Sequence, residues 1–224
     1  YELGGATTLD FNGYVRETRY KEPVPSSVQH RSLRAPGGTV QLTNRVQRGS
    51  VTHTLSAGTD VQWQRISEYR HPNLGGAREG ADLLSNQDIH QGGQGIFVFD
   101  RVELGTEWAA LLNARFDRIT NRLDDNLRSG GVDLSGDADF QHATMRVGLA
   151  WSPSTALSVY GNWGQGFLPP ATEELANNPA AQGGFDTSLE PALSQGEELG
   201  IRGLRGHRFF YDLTLFHLET SGDF

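Results

Sequence analysis

The sequence contains no cysteine and only one methionine among its 224 residues. The absence of cysteine excludes a disulfide framework, a zinc–thiolate site and a cysteine nucleophile. A run of about 18 consecutive apolar residues, which a membrane-spanning helix needs, is also missing. That absence leaves membrane β-barrels open, because a barrel strand turns only every second residue towards lipid. The net charge of −8 argues against a nucleic-acid partner, since phosphate binding requires a basic face.

Alternating apolar and polar residues recur along the whole chain, whereas apolar stripes with helical periodicity are missing. In the clearest strand, the odd-numbered residues from Val51 to Trp63 are mostly apolar and the even-numbered residues are polar or small. The pattern predicts nine strands, at 8–18, 38–47, 51–65, 94–103, 106–118, 140–152, 155–165, 196–203 and 207–219.

The predicted connections alternate between long and short. The long ones are 19–37, 66–93, 119–139 and 166–195, and the short ones are 48–50, 104–105, 153–154 and 204–206. Loops of about 20 to 30 residues are uncommon in compact soluble domains. Antiparallel strands joined in this way predict a transmembrane β-barrel with short periplasmic turns and long extracellular loops. An odd number of strands would leave two unpaired edges, so we expect an arc of a larger barrel.

The four tryptophans lie near the ends of predicted strands. In a barrel they would form an aromatic girdle at the membrane interface. The alternative is that they are core residues of a soluble β-sandwich, which would act as a carbohydrate-binding module. A soluble sandwich would have to fold as a closed unit within this chain, whereas a barrel arc would not.

Two motifs in the second half of the chain carry a family resemblance. Residues 157–175 read LSVYGNWGQGFLPPATEEL, and residues 189–203 read LEPALSQGEELGIRG. The positions that match the family pattern are Gly166, Phe167, Pro169, Pro170, Glu173, Leu189, Pro191, Ser194, Glu198, Gly200 and Arg202. With the hairpin-like segment 96–117 and the strand-like segment 209–220, the chain resembles TonB-dependent outer-membrane receptors. Ala192 and Ala114 depart from the pattern, which usually has glutamate and glycine there.

The resemblance implies a large barrel of the bacterial outer membrane whose lumen holds an N-terminal plug, a class with 22 strands. It implies import of a scarce ligand, an iron–siderophore or similar iron chelate by family frequency, driven by the TonB energy-transducing complex acting through the plug. No segment here resembles a plug or TonB box. We therefore expect residues 1–224 to be a partial barrel domain, without the plug and the C-terminal strands. The expected partners are outer-membrane lipid, the TonB complex and the chelate; no cofactor and no enzymatic activity are expected.

The resemblance also directs attention to particular residues. Ligand contacts are expected in the long extracellular loops, where arginine suits the carboxylates of a chelate because it donates paired hydrogen bonds. The candidates are Arg31, Arg34, Tyr69, Arg70, His71 and Arg78. The charged residues expected to face the lumen are Arg115, Asp117, Arg146, Glu198 and Arg202. Structural pairing is the simpler role for the lumen residues, and an ordinary surface position is the simpler role for the loop residues.

Two further segments have simple interpretations. The corner Gly166–Pro170 is expected to be structural: glycine would permit an unusual dihedral, phenylalanine would pack the rim and the prolines would end the strand. The acidic loop 124–139 offers oxygen ligands for Ca²⁺ but lacks EF-hand spacing, so a solvated loop is favoured.

No metal site and no catalytic residue is predicted. A passive pore or an adhesin-type barrel remains the alternative within the membrane class.

Overall fold

The computed structural model describes residues 2–4, 6–177, 183–206 and 208–222. Ten strands form a single antiparallel sheet in sequence order, each strand paired with its neighbours along the chain. The strands are β1 (Glu2–Gly4), β2 (Thr7–Pro23), β3 (Ser27–Arg48), β4 (Val51–Pro72), β5 (Ser85–Leu104), β6 (Trp108–Asp125), β7 (Gly136–Ser154), β8 (Leu157–Leu168), β9 (Ala192–Arg205) and β10 (Phe209–Ser221). One short helix, α1 (Thr172–Ala176), and a 3-10 turn at Ser129–Gly131 complete the elements.

The prediction of an all-β, antiparallel partial barrel is confirmed, and strands β2 to β10 correspond one to one with the nine predicted strands. Strand β1 is additional. Among the described residues β1 and β10 do not pair with each other, so the sheet is open. A two-layer soluble sandwich is therefore wrong, because all strands belong to one sheet.

The strands extend much further than the alternation predicted, and only at one end of the sheet. We call the end with connections 24–26, 73–84, 126–135 and 169–191 the loop end, because the last three of these are the long connections of the sheet; the opposite, turn end has 49–50, 105–107, 155–156 and 206–208. The predicted long loop 19–37 is wrong: only 24–26 separates β2 from β3. The alternation fails at the loop end because the outer face there is mostly polar and the inner face mixes polar residues with single apolar ones such as Ile66, Ile89 and Leu123, although the hydrogen-bonded ladder continues.

The longest strands can be compared with the thickness of a membrane. Strands β3 and β4 have 22 residues each. At roughly 3.3 Å per residue and a tilt of about 45°, such a strand rises about 50 Å, whereas the hydrocarbon core is about 30 Å thick. A strand of this length would extend about 20 Å beyond a hydrocarbon core, and the mostly polar outer face at the loop end marks that end as the part that would protrude. No described helix is long and apolar enough to cross a membrane.

The pairing register separates the sheet into two faces. Asp60 lies opposite Gly95, Gly95 opposite Asp117, and Asp117 opposite His142, so these residues share one face. We call this the inner face; it is polar over most of its length. The other, outer face carries the apolar residues of each strand, and large side chains stand exposed on it, with Phe11 79%, Ile96 63%, Met145 52% and Leu199 59% accessible.

The buried hydrophobic cluster lies on the inner face near the loop end. Ile66, Ile89 and Leu123 are directly opposed on β4, β5 and β6, and they form one row. Leu175 of α1 and Phe185 of the last long loop cover that row. The sheet thus has no conventional core between layers; its one compact cluster joins loop 169–191 to the wall.

Candidate functional site

The described parts of loop 169–191, residues 169–177 and 183–191, fold back over the inner face instead of standing above the sheet. Strand β8 ends at Leu168, before Pro169 and Pro170, which have no N–H groups to continue the ladder. Ala171 begins α1, and its N–H donates to Glu174 Oε2 at 2.7 Å. The apolar face of this single turn is thereby directed at the cluster, where Leu175 is 1% exposed.

Polar contacts fix the same loop to the wall. Thr172, fully buried, accepts a hydrogen bond from Gln91 Nε2 at 2.9 Å and donates to Asn121 Oδ1 at 3.2 Å. Asn121 Nδ2 donates to the carbonyl of Pro170 at 3.5 Å. Gln91 and Asn121 come from β5 and β6 and face each other in register. The loop is therefore held by side chains whose positions the sheet fixes.

A buried carboxylate connects the loop with β3 and β4. Glu68 is 2% exposed. Its Oε2 accepts from Arg31 Nε at 2.6 Å and its Oε1 from Arg70 Nε at 2.9 Å. Arg31 reaches further and donates from Nη2 to Glu173 Oε1 on α1 at 3.0 Å. Because burying a lone carboxylate is costly, the two guanidinium groups are needed for Glu68 to occupy this position.

A polar cavity of about 420 Å³ lies between the corner Pro169–Ala171 and the wall. Arg115 is part of its lining, and the Nη1 and Nη2 atoms of Arg115 donate to the two carboxylate oxygens of Asp60 at 2.6 and 2.9 Å. The same guanidinium donates from Nε to Asp117 Oδ2 at 2.8 Å. The other inner-face side chains of the lining are Gln62, Gln64, Gln91, Ile119 and Asn121. The volume is within the range of ligand pockets, about 300 to 1,000 Å³.

A second inner-face cavity of about 420 Å³ lies nearer the turn end. Arg202 stacks over the ring of Tyr160, with its guanidinium carbon 5.3 Å from the ring centroid. Among the described residues, Arg146, Glu198 and Arg202 form no ion pair. Arg115, Asp117, Arg146, Glu198 and Arg202 all lie on the inner face, as predicted, but structural pairing holds only for the first two.

Five of the six predicted ligand contacts are divided between the two faces of the sheet. Arg31 and Arg70 lie on the inner face with Glu68. Arg34 on β3, and Tyr69 and His71 on β4, lie on the outer face. Only Arg78 is in a connection, where its Nη2 lies 3.4 Å from the carbonyl of Leu74. The expectation that all six lie in loops is wrong, because β3 and β4 continue through five of them.

On the outer face, Tyr69 and His71 contact neighbouring side chains. The rings of His30 and Tyr69 stack with centroids 4.6 Å apart, and His71 meets Tyr69 edge-on at 5.8 Å. Glu79, in connection 73–84, contacts Lys21, and its Oε1 lies 3.0 Å from His30 Nε2, from which it accepts a hydrogen bond when that nitrogen carries the proton. Hydrogen bonds from Lys21 and then His30 hold the pKa of Glu79 below its ordinary value. Connection 73–84 is thereby fastened to the outer face.

The family-motif residues have structural surroundings. Phe167 stacks on His142 at 5.2 Å, Leu189 packs against the hydrophobic cluster, and Pro191 directly precedes β9. Gly200 leaves room for the ring of Tyr160. Gly166 does not have the positive φ that an unusual dihedral would require. It is needed instead because a Cβ there would collide with the Ser194 hydroxyl.

The acidic loop uses its carboxylates internally. Asp125 accepts backbone N–H groups of Leu127 at 3.1 Å and Leu134 at 3.2 Å. Hydrogen bonds from Ser135 lower the pKa of Asp133. In the described part of the chain no group of three or more histidine or acidic side chains is placed to hold a metal ion.

Several residues of the inner-face site were not predicted, among them Asp60, Glu68, Gln91, Asn121 and Thr172. The alternation placed the strand residues on the polar face, but the sequence held no signal for which of them would meet. Their separations range up to 81 positions, and only the strand pairing and the returning loop bring them together.

A family model for the TonB dependent receptor-like β-barrel matches residues 1–223. A search of curated proteins finds no match. Among solved structures, the chain is similar to the ferric citrate transporter FecA in its unliganded form, with a TM-score of 0.80, 12% identity, and coverage of 98% of this chain and 33% of that one. It is also similar to the siderophore receptor PiuA from Acinetobacter baumannii, with a TM-score of 0.74, 12% identity, and coverage of 96% and 38%.

A third similar structure is BauA, the ferric preacinetobactin receptor from Acinetobacter baumannii, with a TM-score of 0.69, 13% identity, and coverage of 97% and 36%. At these identities the likeness concerns the fold. The chain spans between 33% and 38% of the length of these three receptors.

Proposed function

Because the chain belongs to the TonB-dependent receptor β-barrel family, we propose that it forms about a third of an outer-membrane receptor that imports an iron chelate. Barrels of this family lie in the bacterial outer membrane, and their members are transporters rather than enzymes. In that setting the outer face meets lipid, the inner face lines the lumen and the loop end faces the cell exterior. The remainder of the barrel, the plug and the contact with TonB belong to the same proposal.

The observation that carries the proposal is the polar inner face, against which the described parts of loop 169–191 pack near the loop end, with a cavity of about 420 Å³ between them and the wall. The loop is fixed to the wall by both an apolar cluster and hydrogen bonds, so the cavity has a defined lining. A receptor requires a pocket near the exterior with polar groups that orient a ligand. The solved structures with the same fold include receptors for ferric citrate and ferric preacinetobactin, which favours an iron chelate as the ligand.

Within this proposal Arg31, Arg70 and Arg78 remain the candidate ligand contacts, but Arg31 and Arg70 are paired with Glu68, so a ligand would have to displace the Glu68 carboxylate from them. The first two face the lumen at the loop end, and the third lies in connection 73–84. Arg34, Tyr69 and His71 face away from the lumen and receive no ligand role. Arginine donates paired hydrogen bonds to carboxylate, catecholate or hydroxamate oxygens that project from a chelate.

The test is uptake of radioactive iron by cells that express the full-length receptor, compared with cells that lack its gene. Ferric citrate, a ferric catecholate and a ferric hydroxamate are offered separately, with vitamin B12 as the control cargo. We expect deletion of the gene to abolish uptake of one chelate and to leave B12 uptake unchanged, and deletion of tonB to abolish uptake of that chelate as well. Unchanged uptake of every chelate, or loss of B12 uptake alone, would overturn the proposal.

A further inference from the structure

The inner-face arginines near loop 169–191 are already compensated by carboxylates. Arg31 and Arg70 both pair with Glu68, and Arg31 also pairs with Glu173 on α1. This group contains two cations and two anions, so it carries no net charge. A ligand gains a free guanidinium from it only by displacing a carboxylate, and the carboxylate of Glu68 is almost completely buried.

The Arg115 guanidinium beneath the loop has little hydrogen-bonding capacity left for a ligand. Its Nη1 and Nη2 atoms donate to Asp60 at 2.6 and 2.9 Å. Its Nε and Nη2 atoms donate to Asp117 at distances from 2.6 to 2.9 Å. Arg115 thus meets a carboxylate on each of two sides, and an anionic ligand would have to compete with both.

The charges around the cavity beneath the loop cancel each other. Arg115 is the one cation of the described lining, and Asp60 and Asp117 are its anions. Arg16 lies on the same face of β2 and has no ion pair among the residues that the structure describes. With Arg16 included, two cations stand against two anions, so this part of the wall is electrically neutral. A ligand of high negative charge would find no counter-charge here.

The uncharged part of the lining is a chain of side-chain amides. Gln64 donates from Nε2 to Gln91 Oε1 at 2.7 Å, and Gln91 donates from Nε2 to Thr172 Oγ1 at 2.9 Å. The Oε1 atom of Gln64 has no partner among the described residues. Gln62 accepts from the Tyr14 hydroxyl at 3.0 Å through Oε1, and its Nε2 likewise has no partner in the described part of the chain. The cavity therefore offers a neutral donor and a neutral acceptor to a ligand.

The corner Pro169–Ala171 gives the cavity an aliphatic side. Pro169, Pro170 and Ala171 line it together with Leu168, and Ile119 adds an apolar side chain from β6. No aromatic side chain belongs to the described lining. Aromatic groups of a ligand gain most from aromatic or cationic partners, whereas this surface suits aliphatic chains.

We propose that the cavity binds an electrically neutral trihydroxamate chelate of ferric iron. Three deprotonated hydroxamate groups balance the charge of the ferric ion, whereas a tricatecholate complex stays triply negative and ferric citrate complexes are anionic. The hydroxamate oxygens accept from Gln62 Nε2, amide N–H groups of the ligand donate to Gln64 Oε1, and its aliphatic linkers pack on Pro169 and Ile119. The inference rests on the proposed function, because it names the class of chelate that the same site takes.

The test measures equilibrium binding of chelates labelled with radioactive iron to the purified full-length receptor in nanodiscs. The probes are ferrichrome as the neutral trihydroxamate, ferric enterobactin as the triply negative tricatecholate, and ferric citrate. The double variant Gln62→Ala with Gln64→Ala removes both polar ligand contacts. Gln41→Ala is the matched control, because Gln41 lies on the inner face of β3 outside the cavity.

We expect ferrichrome to bind at least about tenfold more tightly than either anionic chelate, because only the anionic chelates bring uncompensated charge to the cavity. The double variant should lose about tenfold in affinity for ferrichrome, since each lost hydrogen bond contributes a factor of a few. The control variant should bind ferrichrome as the unsubstituted receptor does.

A cation introduced into the cavity separates the effect of charge from the effect of lost hydrogen bonds. Gln62→Lys and Gln62→Ala both remove the amide, but only the lysine adds a charge. Relative to Gln62→Ala, Gln62→Lys should bind ferric enterobactin about three- to tenfold more tightly and should alter ferrichrome binding far less, because the added charge acts mainly on the anion.

The outcomes distinguish this inference from the proposed function. Affinity for ferric enterobactin or ferric citrate that equals or exceeds the affinity for ferrichrome would overturn the inference and leave the proposed function in place. The same holds for an unchanged double variant, and for equal enterobactin affinities of Gln62→Lys and Gln62→Ala. Binding of none of the three chelates would overturn both.

Discussion

Arg115 on β6 and Asp60 on β4 are joined across β5 by two parallel hydrogen bonds, Nη1–Oδ1 at 2.6 Å and Nη2–Oδ2 at 2.9 Å. The bridge passes over Gly95, where a Cβ would collide with the guanidinium. Glycine on the middle strand thus permits an ion pair between strands that are not hydrogen-bonded to each other. This pair stiffens the lumen wall beneath loop 169–191.

Removal of that guanidinium should destabilise the barrel. In Arg115→Met, Asp60 and Asp117 are left facing each other without a cation, and we expect the free energy of unfolding to fall by about 1–3 kcal/mol. Urea unfolding of the full-length receptor in lipid vesicles measures the change. Arg146→Met, on the same face but without an ion pair among the described residues, should change stability by less than about 0.5 kcal/mol. Equal losses in the two variants would contradict the structural role of Arg115.

Loop 169–191 should detach when its apolar anchor is removed. Leu175 is buried against Ile66, Ile89 and Leu123, and Leu→Ala in such a position costs about 2–5 kcal/mol. Because Leu175 is the largest fully buried apolar side chain of the described parts of the loop, we expect Leu175→Ala to raise hydrogen exchange in residues 171–177 while the strands remain protected. Leu168→Ala, whose side chain is 64% exposed, is the control. Faster exchange throughout β4 to β6 would show instead that the cluster supports the whole wall.

The two faces should respond differently to a new charge. Leu149 is on the outer face and 51% exposed to lipid, so Leu149→Arg should cost about 2–4 kcal/mol if it lies near the middle of the bilayer. Asn162 is on the inner face, directly opposite Glu198, so Asn162→Arg gains an acidic neighbour and should change stability little. Unfolding in vesicles compares them. A larger loss for Asn162→Arg would mean that the faces have been assigned the wrong way round.

Connection 73–84 should loosen in acid. The pKa of Glu79 is lowered by Lys21 and then by His30, so the carboxylate contributes stability above its unfolded-state pKa of about 4.3. That contribution is lost as the pH falls through the lower, folded-state value. We expect hydrogen exchange in residues 73–84 to accelerate below about pH 4 relative to the strands. In Glu79→Gln the connection should exchange faster at neutral pH and should show no such acid step.

The alternation of side chains determined which residues share a face, since successive residues of any strand point to opposite sides. For that reason the sequence placed five charged residues correctly on the inner face: Arg115, Asp117, Arg146, Glu198 and Arg202. The strand ends at the turn end were also predicted to within a few residues. The motif at Gly166–Pro170 likewise marked the end of β8, because proline cannot continue the ladder. These features are local, and local sequence is sufficient for them.

Only the tertiary structure decided how far the strands continue and which distant residues meet. At the loop end of β2 to β7 the outer face is mostly polar and the inner face mixes polar with single apolar residues, so the sequence shows no regular alternation there, and strand formation depends on the neighbouring strand. Loop 169–191 packs against the inner face because three neighbouring strands contribute an apolar row there, formed by Ile66, Ile89 and Leu123. The pairing register alone brings Arg34, Arg65, His90 and Arg122 side by side on the outer face. A shift of a single residue between two strands would turn these side chains to opposite faces.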